Sequence, residues 1–243
     1  MATRIFPDSR AFVLILSGAF TFACGGGDLL LPDPPGGGDN VVLSKEAGDN
    51  QEGVVGEQLL QPLVVKVLTP RELPATGKQV EFVFTSAAGV VTPATAFTNS
   101  AGQATANWVL GTAPGPQTVA ARLVVGDAEP QTEEFTAQAK AAAPDTLSAM
   151  SPTSQPGRRG RKAGTPPLIR VVDRFGNPVS DVPVAWQVIS GQGSVSEPIT
   201  RTQTDGTSTV EWTLGNRPGL QRLTADVGSI TGSPVSFTAT VLF

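Results

Sequence analysis

The sequence predicts an all-β protein: two tandem β-sandwiches of about seven strands each, preceded by a signal peptide and a flexible linker. Three observations support this fold class. The 243 residues include 27 Gly and 21 Pro, the two residue types least compatible with helices, and these separate short apolar runs. Apolar and polar residues alternate within those runs, as expected for strands with one buried face. The second half of the chain also repeats the first at a constant spacing, which indicates a duplicated domain.

The first 23 residues have the pattern of an export signal. Arg4 and Arg10 give this segment positive charge, and residues 11–23, AFVLILSGAFTFA, form a mostly apolar run. A helix that spans a bilayer needs about 20 apolar residues. The run of thirteen is shorter and is typical of the central part of a secretory signal peptide. We therefore predict a signal peptide over residues 1–23.

The single cysteine, Cys24, follows this leader directly. An apolar run, a small residue, a cysteine and a glycine-rich segment together resemble the signal of bacterial lipoproteins. The resemblance implies that Cys24 is lipidated and becomes the mature N-terminus. Thr21 and Phe22 depart from the residues that this signal prefers, and an ordinary signal peptidase that accepts Thr21 and Ala23 could cut the same bond.

Residues 24–39, CGGGDLLLPDPPGGGD, are predicted to be the lipidated cysteine and a flexible tether, because Gly-rich segments behave as flexible chains. A lipid anchor would make the membrane a partner of this protein. It would also place the protein in the cell envelope, at the outer membrane or the cell surface.

The internal repeat runs without a gap from about Val41 to Ala121 at a spacing of 104 residues. Matched pairs include Gln51 and Gln155, Gly56 and Gly160, Trp108 and Trp212, Gly111 and Gly215, and Gln117 and Gln221. After two residues drop out, Phe135 aligns with Phe237. We therefore predict one domain over residues 40–140 and a second over residues 144–243. Each has about the size of a seven-stranded sandwich.

The strands of the second copy are predicted from alternating apolar positions separated by turn residues. Val184, Trp186 and Val188, for example, fall on one face of a strand. The predicted strands lie near residues 145–150, 166–173, 182–190, 194–203, 207–215, 220–227 and 233–242. Evenly spaced strands without helical segments favour packed antiparallel sheets.

A set of turn and strand residues in the second copy carries a family resemblance. Its members are Asp173, Gly176, Asn177, Pro178, Val179, Thr204, Asp205, Gly206, Gly219, Thr224 and Ala225. They resemble bacterial immunoglobulin-like domains of group 1, the invasin and intimin type. The resemblance implies an immunoglobulin-like sandwich in an extracellular or envelope-exposed module, often stacked into rods that present a binding tip. The first copy matches less well, since residues 68–74 lack the Asp and the Gly-Asn pair of the turn.

The composition argues against catalysis. The chain has no His, the commonest general base and metal ligand. We predict no enzymatic activity, no cofactor and no metal site. Asp173, Asp181 and Asp205 could support a turn or a domain junction that is stabilised by a cation such as calcium. Carboxylates that cap turns through their own side chains are the expected interpretation. The three Trp lie on apolar faces and are predicted to belong to the core rather than to stack on sugars. The net charge of −4 predicts no attraction to nucleic acid.

One dense cluster of charge stands out, formed by Arg158, Arg159, Arg161 and Lys162. The first copy has VVGEQ at residues 54–58, the equivalent positions, so the fold does not need the basic residues. The cluster is the candidate binding patch, suited to lipid phosphates or an anionic polysaccharide. The alternative is a solvated loop.

These observations predict a non-enzymatic cell-envelope lipoprotein that acts as a structural or adhesive surface module. The alternative is an accessory protein that binds a carbohydrate or anionic ligand through residues 158–162. Its ligand would be an extracellular glycan or protein, and the oligomeric state is left open.

Overall fold

The structure, a computed structural model, describes residues 40–86, 89–126 and 130–242. The predicted leader, Cys24 and the tether lie outside these residues. The described residues belong to one compact unit made of β-strands, and it has two separate buried clusters within residues 41–139 and 147–241. Within the described ranges, no helix is long and apolar enough to cross a membrane. The division into domains at residues 140 and 144 stays a prediction.

The first buried cluster belongs to a sandwich of two sheets. Its strands are β1 Val42–Ala47, β2 Gln51–Val54, β3 Leu63–Leu68, β4 Gln79–Ser86, β5 Val90–Thr92, β6 Thr95–Phe97, β7 Gln103–Val109, β8 Gly115–Leu123 and β9 Gln131–Lys140. One sheet has the order β1-β3-β7-β5 and the other β2-β9-β8-β4-β6. The edge strand β2 pairs in parallel with β9, whereas β8 pairs with its two neighbours antiparallel.

The second sandwich repeats this arrangement. Its strands are β10 Pro144–Ala149, β11 Ser154–Gly157, β12 Leu168–Asp173, β13 Pro183–Ser190, β14 Ser194–Val195, β15 Ile199–Arg201, β16 Thr207–Thr209, β17 Trp212–Thr213, β18 Gly219–Asp226 and β19 Val235–Val241. The larger sheet has the order β11-β19-β18-β13-β15. The facing layer consists of a three-stranded sheet, β10-β12-β16, and a two-stranded sheet, β14-β17.

The second sandwich has ten described strands rather than the seven predicted. The predicted strand 194–203 is divided, because β14 pairs with β17 in one layer and β15 pairs with β13 in the other. Pro198 lies in the break and has no backbone N–H for a ladder. The predicted strand 207–215 is likewise divided into β16 and β17. The short edge strand β11 was not predicted, and its Pro156-Gly157 pair is of a kind more typical of turns than of strands.

The cores are formed by the alternating residues, as predicted. Trp108 and Trp212 occupy equivalent positions of the two sandwiches and are 0% and 1% exposed. Trp186 is also buried, and its Nε1 donates a hydrogen bond to Thr200 Oγ1 at 2.7 Å. Since no Trp ring is open to solvent, the prediction that all three belong to the core is confirmed.

Candidate functional site

The Asp173–Val179 turn follows β12 and is organised by one carboxylate. Asp173 Oδ1 accepts hydrogen bonds from the backbone N–H groups of Phe175 and Asn177, both at 2.9 Å. Asp173 Oδ2 accepts a third bond from Asn177 Nδ2 at 2.9 Å. Gly176 has a φ of +84°, a conformation that glycine adopts without steric penalty. The short Asp173 side chain therefore supplies the hydrogen-bond acceptor for two backbone N–H groups of the turn.

The same turn also contacts the first sandwich and the segment that leads out of it. Ala142, between β9 and β10, donates its backbone N–H to Asp173 Oδ2 at 2.9 Å. Asn177 Nδ2 donates to the carbonyl oxygen of Thr112 at 2.8 Å. We call the contacts of Asp173 and Asn177 with Ala142 and Thr112 the joint. They tie the second sandwich to the first through side chains rather than through the chain connection alone.

The carboxylate of the joint is held in its charged form. Asp173 is only 2% exposed. Burial acts to raise its pKa, but the hydrogen bonds from Asn177, Ala142 and Phe175 outweigh burial, so the pKa lies below the usual range of an aspartate. The joint therefore contains a buried negative charge, and the hydrogen bonds that stabilise this charge come both from the turn itself and from Ala142 in the linker.

The ring of Phe175 lies beside the joint, next to Gly56 of the first sandwich. Gly56 has a φ of +72°, and a Cβ built on it would lie 2.7 Å from Phe175 Cζ. A side chain at residue 56 would displace this ring. The Arg174 guanidinium carbon lies 4.7 Å from the centroid of the Phe175 ring, a cation–π distance.

The loop that presents the Thr112 carbonyl is shaped by a buried glutamine. Gln117 is 1% exposed, and its Oε1 accepts a hydrogen bond from Gly111 N at 2.8 Å. Its Nε2 donates to Ala113 O at 2.9 Å. Gln221 makes the equivalent bonds to the 215–217 loop of the second sandwich, at 2.8 and 2.9 Å. Sequence reasoning assigned no role to these glutamines, although their match within the repeat was the signal that could have found them.

The first sandwich keeps the turn but not the carboxylate. Thr69 stands where the second sandwich has Asp173, and its N–H donates to Leu73 O at 2.8 Å. Thr69 Oγ1 accepts a bond from Leu73 N at 3.3 Å, and Glu72 takes a φ of +61° at the position of Gly176. The departure of residues 68–74 from the family motif therefore leaves the turn in place.

The other two candidate carboxylates are each bound separately. Asp205 Oδ1 accepts bonds from Thr207 N at 2.9 Å and Thr207 Oγ1 at 2.7 Å, which lower the pKa of Asp205. Asp181 forms an exposed ion pair with Arg201 at 3.0 Å. Among the described residues, no group of three or more Cys, Asp or Glu side chains could hold a metal ion. The carboxylates of the second sandwich thus act as caps and partners within the chain.

The predicted basic patch lies on the turn after β11. Arg158, Arg159, Arg161 and Lys162 are all exposed. Gly160, with a φ of +63°, allows the chain to reverse, and Arg161 O accepts a hydrogen bond from Leu214 N at 2.9 Å. The structure therefore brings the four predicted cations together on one well-anchored loop.

A solvent-open cleft of about 720 Å³ lies against this loop. It is lined by Pro156, Gly157, Arg158, Arg159, Arg161, Lys162, Gly164 and Leu242. Arg159 Nε donates to Leu242 O at 3.3 Å, and Lys162 Nζ pairs with Glu211 at 2.6 Å. The side chains of Arg158 and Arg161 make no ion pair or hydrogen bond within the described part of the chain.

The order of the strands in the two layers of each half defines a protein of the immunoglobulin-like sandwich class. The expected fold, an immunoglobulin-like β-sandwich in each half, is confirmed. The chain is similar in structure to FdeC, an adhesin of Escherichia coli, with a TM-score of 0.54 at 17% identity, over 84% of this chain and 64% of that one. The likeness is one of fold, and the chain spans less than two thirds of the FdeC structure.

Two further solved structures are similar at lower scores. InvD of Yersinia pseudotuberculosis has a TM-score of 0.48 at 18% identity, over 83% of this chain and 57% of that one. The D00-D0 domain of Intimin has a TM-score of 0.41 at 16% identity, over 83% of this chain and 100% of that one. Compared with models of protein families and with curated proteins, the chain matches none.

Proposed function

We propose that this protein is an exported, non-enzymatic module of the cell surface, anchored by lipid on Cys24. Its two sandwiches act together as one spacer or adhesive element. The observation that carries the proposal is the joint, in which a buried carboxylate of the second sandwich binds the segment between the sandwiches. The leader pattern, the absence of His and the fold shared with an adhesin are consistent with this function.

The joint favours a fixed relation between the sandwiches for an energetic reason. In a flexible linker, backbone N–H groups bond to water and the linker bends freely. Here bending would break the bond from Ala142 N to Asp173, a hydrogen bond to a charged group that is worth about 1.5–3 kcal/mol. The bond from Asn177 to Thr112 and the contact of Phe175 with Gly56 would be lost with it. An element that must hold a ligand-binding end away from a membrane gains from this stiffness.

A pair of spin labels tests the fixed relation. Cys24 is the only cysteine, so Cys24→Ala gives a background without thiols. Leu60→Cys and Leu220→Cys place one label on each sandwich, at positions that are 93% and 57% exposed. Double electron–electron resonance should then report one narrow distribution of the distance between the two labels. Asn177→Ala should broaden it, and a broad distribution in the parent pair would contradict the proposal.

The export and anchor have their own tests. Wild-type protein should fractionate with membranes and incorporate radiolabelled palmitate, whereas Cys24→Ala should be released in soluble form. Retention of Cys24→Ala in membranes would contradict the lipid anchor. Release of the wild-type protein in soluble form, without palmitate, would favour an ordinary cleavage at the same bond.

Display on the surface is tested on intact cells. The variant Leu60→Cys should react with a membrane-impermeant maleimide before lysis, with the parent protein as the control for labelling at residue 24. Labelling that appears only after lysis would contradict surface display.

A further inference from the structure

We propose that the second sandwich binds an anionic polysaccharide in the cleft beside the loop 158–162. We call this surface the basic face and define it by Arg158, Arg159, Arg161 and Lys162. The inference goes beyond the spacer role and does not depend on it. It rests on the position of the basic face in the fold, on its difference from the equivalent face of the first sandwich, and on its charges.

The basic face occupies the position that the first sandwich uses for docking. At a spacing of 104 residues, Gly160 is the equivalent of Gly56, and Asn216 is the equivalent of Thr112. In the first sandwich, Gly56 and Thr112 contact the Asp173–Val179 turn. In the second sandwich, Gly160 and Asn216 are exposed, and the residues on either side of Gly160, Arg159 and Arg161, line the cleft of about 720 Å³. Val55 and Gly56 are thus more enclosed in the first copy than the equivalent Arg159 and Gly160 are in the second.

The exposed copy of this face differs from the joint at the position of the aromatic ring. A Cβ on Gly160 would lie 2.8 Å from Asn216 Oδ1, whereas a Cβ on Gly56 would lie 2.7 Å from the Phe175 ring. The Asn216 side chain therefore occupies the place that the ring takes in the joint. Val55 is 0% exposed and belongs to the core cluster of the first sandwich, whereas the equivalent Arg159 is exposed. A buried apolar position of the first copy is thus an exposed charged position in the second.

The charge also argues against a second copy of this chain as the occupant. In the joint, Arg174 Nη2 lies 3.6 Å from the position of a Cβ on Gly56, next to Glu57 in sequence. On the basic face, Arg161 stands in place of Glu57. An incoming turn with an arginine at position 174 would therefore meet like charge. The charges of the face favour a partner that carries negative charge.

The arrangement of the cations favours an extended polyanion. Arg158 and Arg161 are free of partners among the described residues, and their planar guanidinium groups can bind a carboxylate or a sulfate with two parallel hydrogen bonds. Four cations within five consecutive residues are neutralised together by closely spaced anionic groups, as a uronic-acid or sulfated polysaccharide carries them. The chain as a whole is acidic, with a net charge of −4, so this dense cluster of four cations stands out as the surface that favours a polyanion.

The test measures binding of three soluble polysaccharides to the full-length protein by calorimetry. Heparin carries sulfate and carboxylate groups, polygalacturonate carries carboxylate groups alone, and dextran is neutral. Heparin, polygalacturonate or both should bind at about 50 mM NaCl and weaken strongly at about 300 mM, because exposed charge pairs are screened by salt. Dextran should not bind, and the two anionic arms distinguish sulfate from carboxylate recognition.

Two variants with equal loss of charge make the test specific. Arg158→Ala/Arg161→Ala should weaken binding by about tenfold or more, since two charge-assisted contacts are lost. The control Arg122→Ala/Arg222→Ala removes two exposed arginines from β8 and β18 and should change affinity by less than about twofold. Unchanged thermal melts would show that both variants fold.

Three outcomes would overturn the inference. The first is that neither anionic polysaccharide binds at low salt. The second is that both variants lose affinity equally, which would indicate diffuse charge attraction. The third is that vesicles of phosphatidylglycerol bind while the polysaccharides do not, which would make the partner a membrane.

Discussion

Replacement of Asp173 by Asn tests the joint with the smallest change of shape. The wild-type carboxylate accepts four hydrogen bonds, from Phe175 N, Asn177 N, Asn177 Nδ2 and Ala142 N. In Asp173→Asn, the remaining oxygen can still accept the two backbone bonds of the turn. The new amide group would face Asn177 Nδ2 and Ala142 N, which are both donors. The turn should therefore persist while the bond that crosses to the linker is lost.

The magnitude follows from these contacts. Hydrogen bonds to a charged group contribute about 1.5–3 kcal/mol each, and two of them are lost. Asn177 Nδ2 keeps its bond to Thr112 O, so the loss at that group is partial. We expect Asp173→Asn to lower the free energy of unfolding by about 2–4 kcal/mol, with the Ala142 bond as the larger share.

Urea unfolding followed by tryptophan fluorescence measures this loss, since each sandwich contains a buried Trp. Asp205→Asn is the matched control, because Asp205 caps a turn of the same sandwich without reaching the first. Asp173→Asn should be the less stable variant and should broaden the spin-label distance, which Asp205→Asn should leave narrow. Equal stability of the two variants, with both distances narrow, would refute the assigned role of the carboxylate.

Acid provides a second readout of the same carboxylate. The pKa of Asp173 is lowered in the folded protein, so its contribution is fully present above the unfolded pKa of about 3.9 and is lost as the pH falls through the folded value. The stability difference between wild type and Asp173→Asn should be constant from about pH 7 to about pH 5 and should shrink below about pH 4. Asp49, Asp205 and Asp226 also have lowered pKa values, but both proteins share them. A difference that stays the same down to about pH 2 would contradict the argument.

Three further predictions use pairs of equivalent residues or a single core residue. Trp212→Ala should lower the free energy of unfolding by about 3–5 kcal/mol, and a urea titration that shows less than about 1 kcal/mol would contradict burial of the ring. Gln117→Leu and Gln221→Leu should each lose about 1–3 kcal/mol, because buried loop amides and carbonyls lose their partners, but only Gln117→Leu should broaden the spin-label distance. Gly56→Ala and Gly160→Ala both strain the backbone, because both glycines have a positive φ. Only Gly56→Ala should broaden the spin-label distance distribution, since only Gly56 lies against the Phe175 ring. Equal broadening by the two variants would contradict a role for this ring contact.

The layers and the cores could be predicted from the sequence because they depend on local alternation. Residues two positions before and after Trp186 are also apolar, and this alternation indicates that Trp186 lies on the buried face of its strand. The inference does not require knowing which strand is its partner. The division of strand 194–203 was not predictable in this way. β14 and β15 lie in different layers because each finds a different partner across the sandwich, and this pairing is a long-range property. Only Pro198 gave a local hint of the break.

Only part of the joint could be predicted from the sequence. The Asp173–Val179 motif identified a turn, and its internal hydrogen bonds follow from the local chain. The bonds to Ala142 and Thr112 depend on how the two sandwiches meet, which no local pattern contains. The basic face could be predicted as a cluster of charge. The cleft beside it could not, because Gly164 and Leu242, which also line it, are brought there only by the fold.

Comparison of the two copies separates residues that build the fold from residues that give each copy its role. Positions that agree lie in the cores and in the loops that shape the ends, as Trp108 with Trp212 and Gln117 with Gln221. Positions at one end of the sandwich that differ in charge include Val55 with Arg159 and Glu57 with Arg161. Val55 packs in the core of the first sandwich, but Glu57 and Arg161 are both exposed, so core packing does not explain the change of charge between them. We attribute this change to what lies at that end of each copy: the next sandwich in the first copy and, as we propose, an anionic ligand in the second.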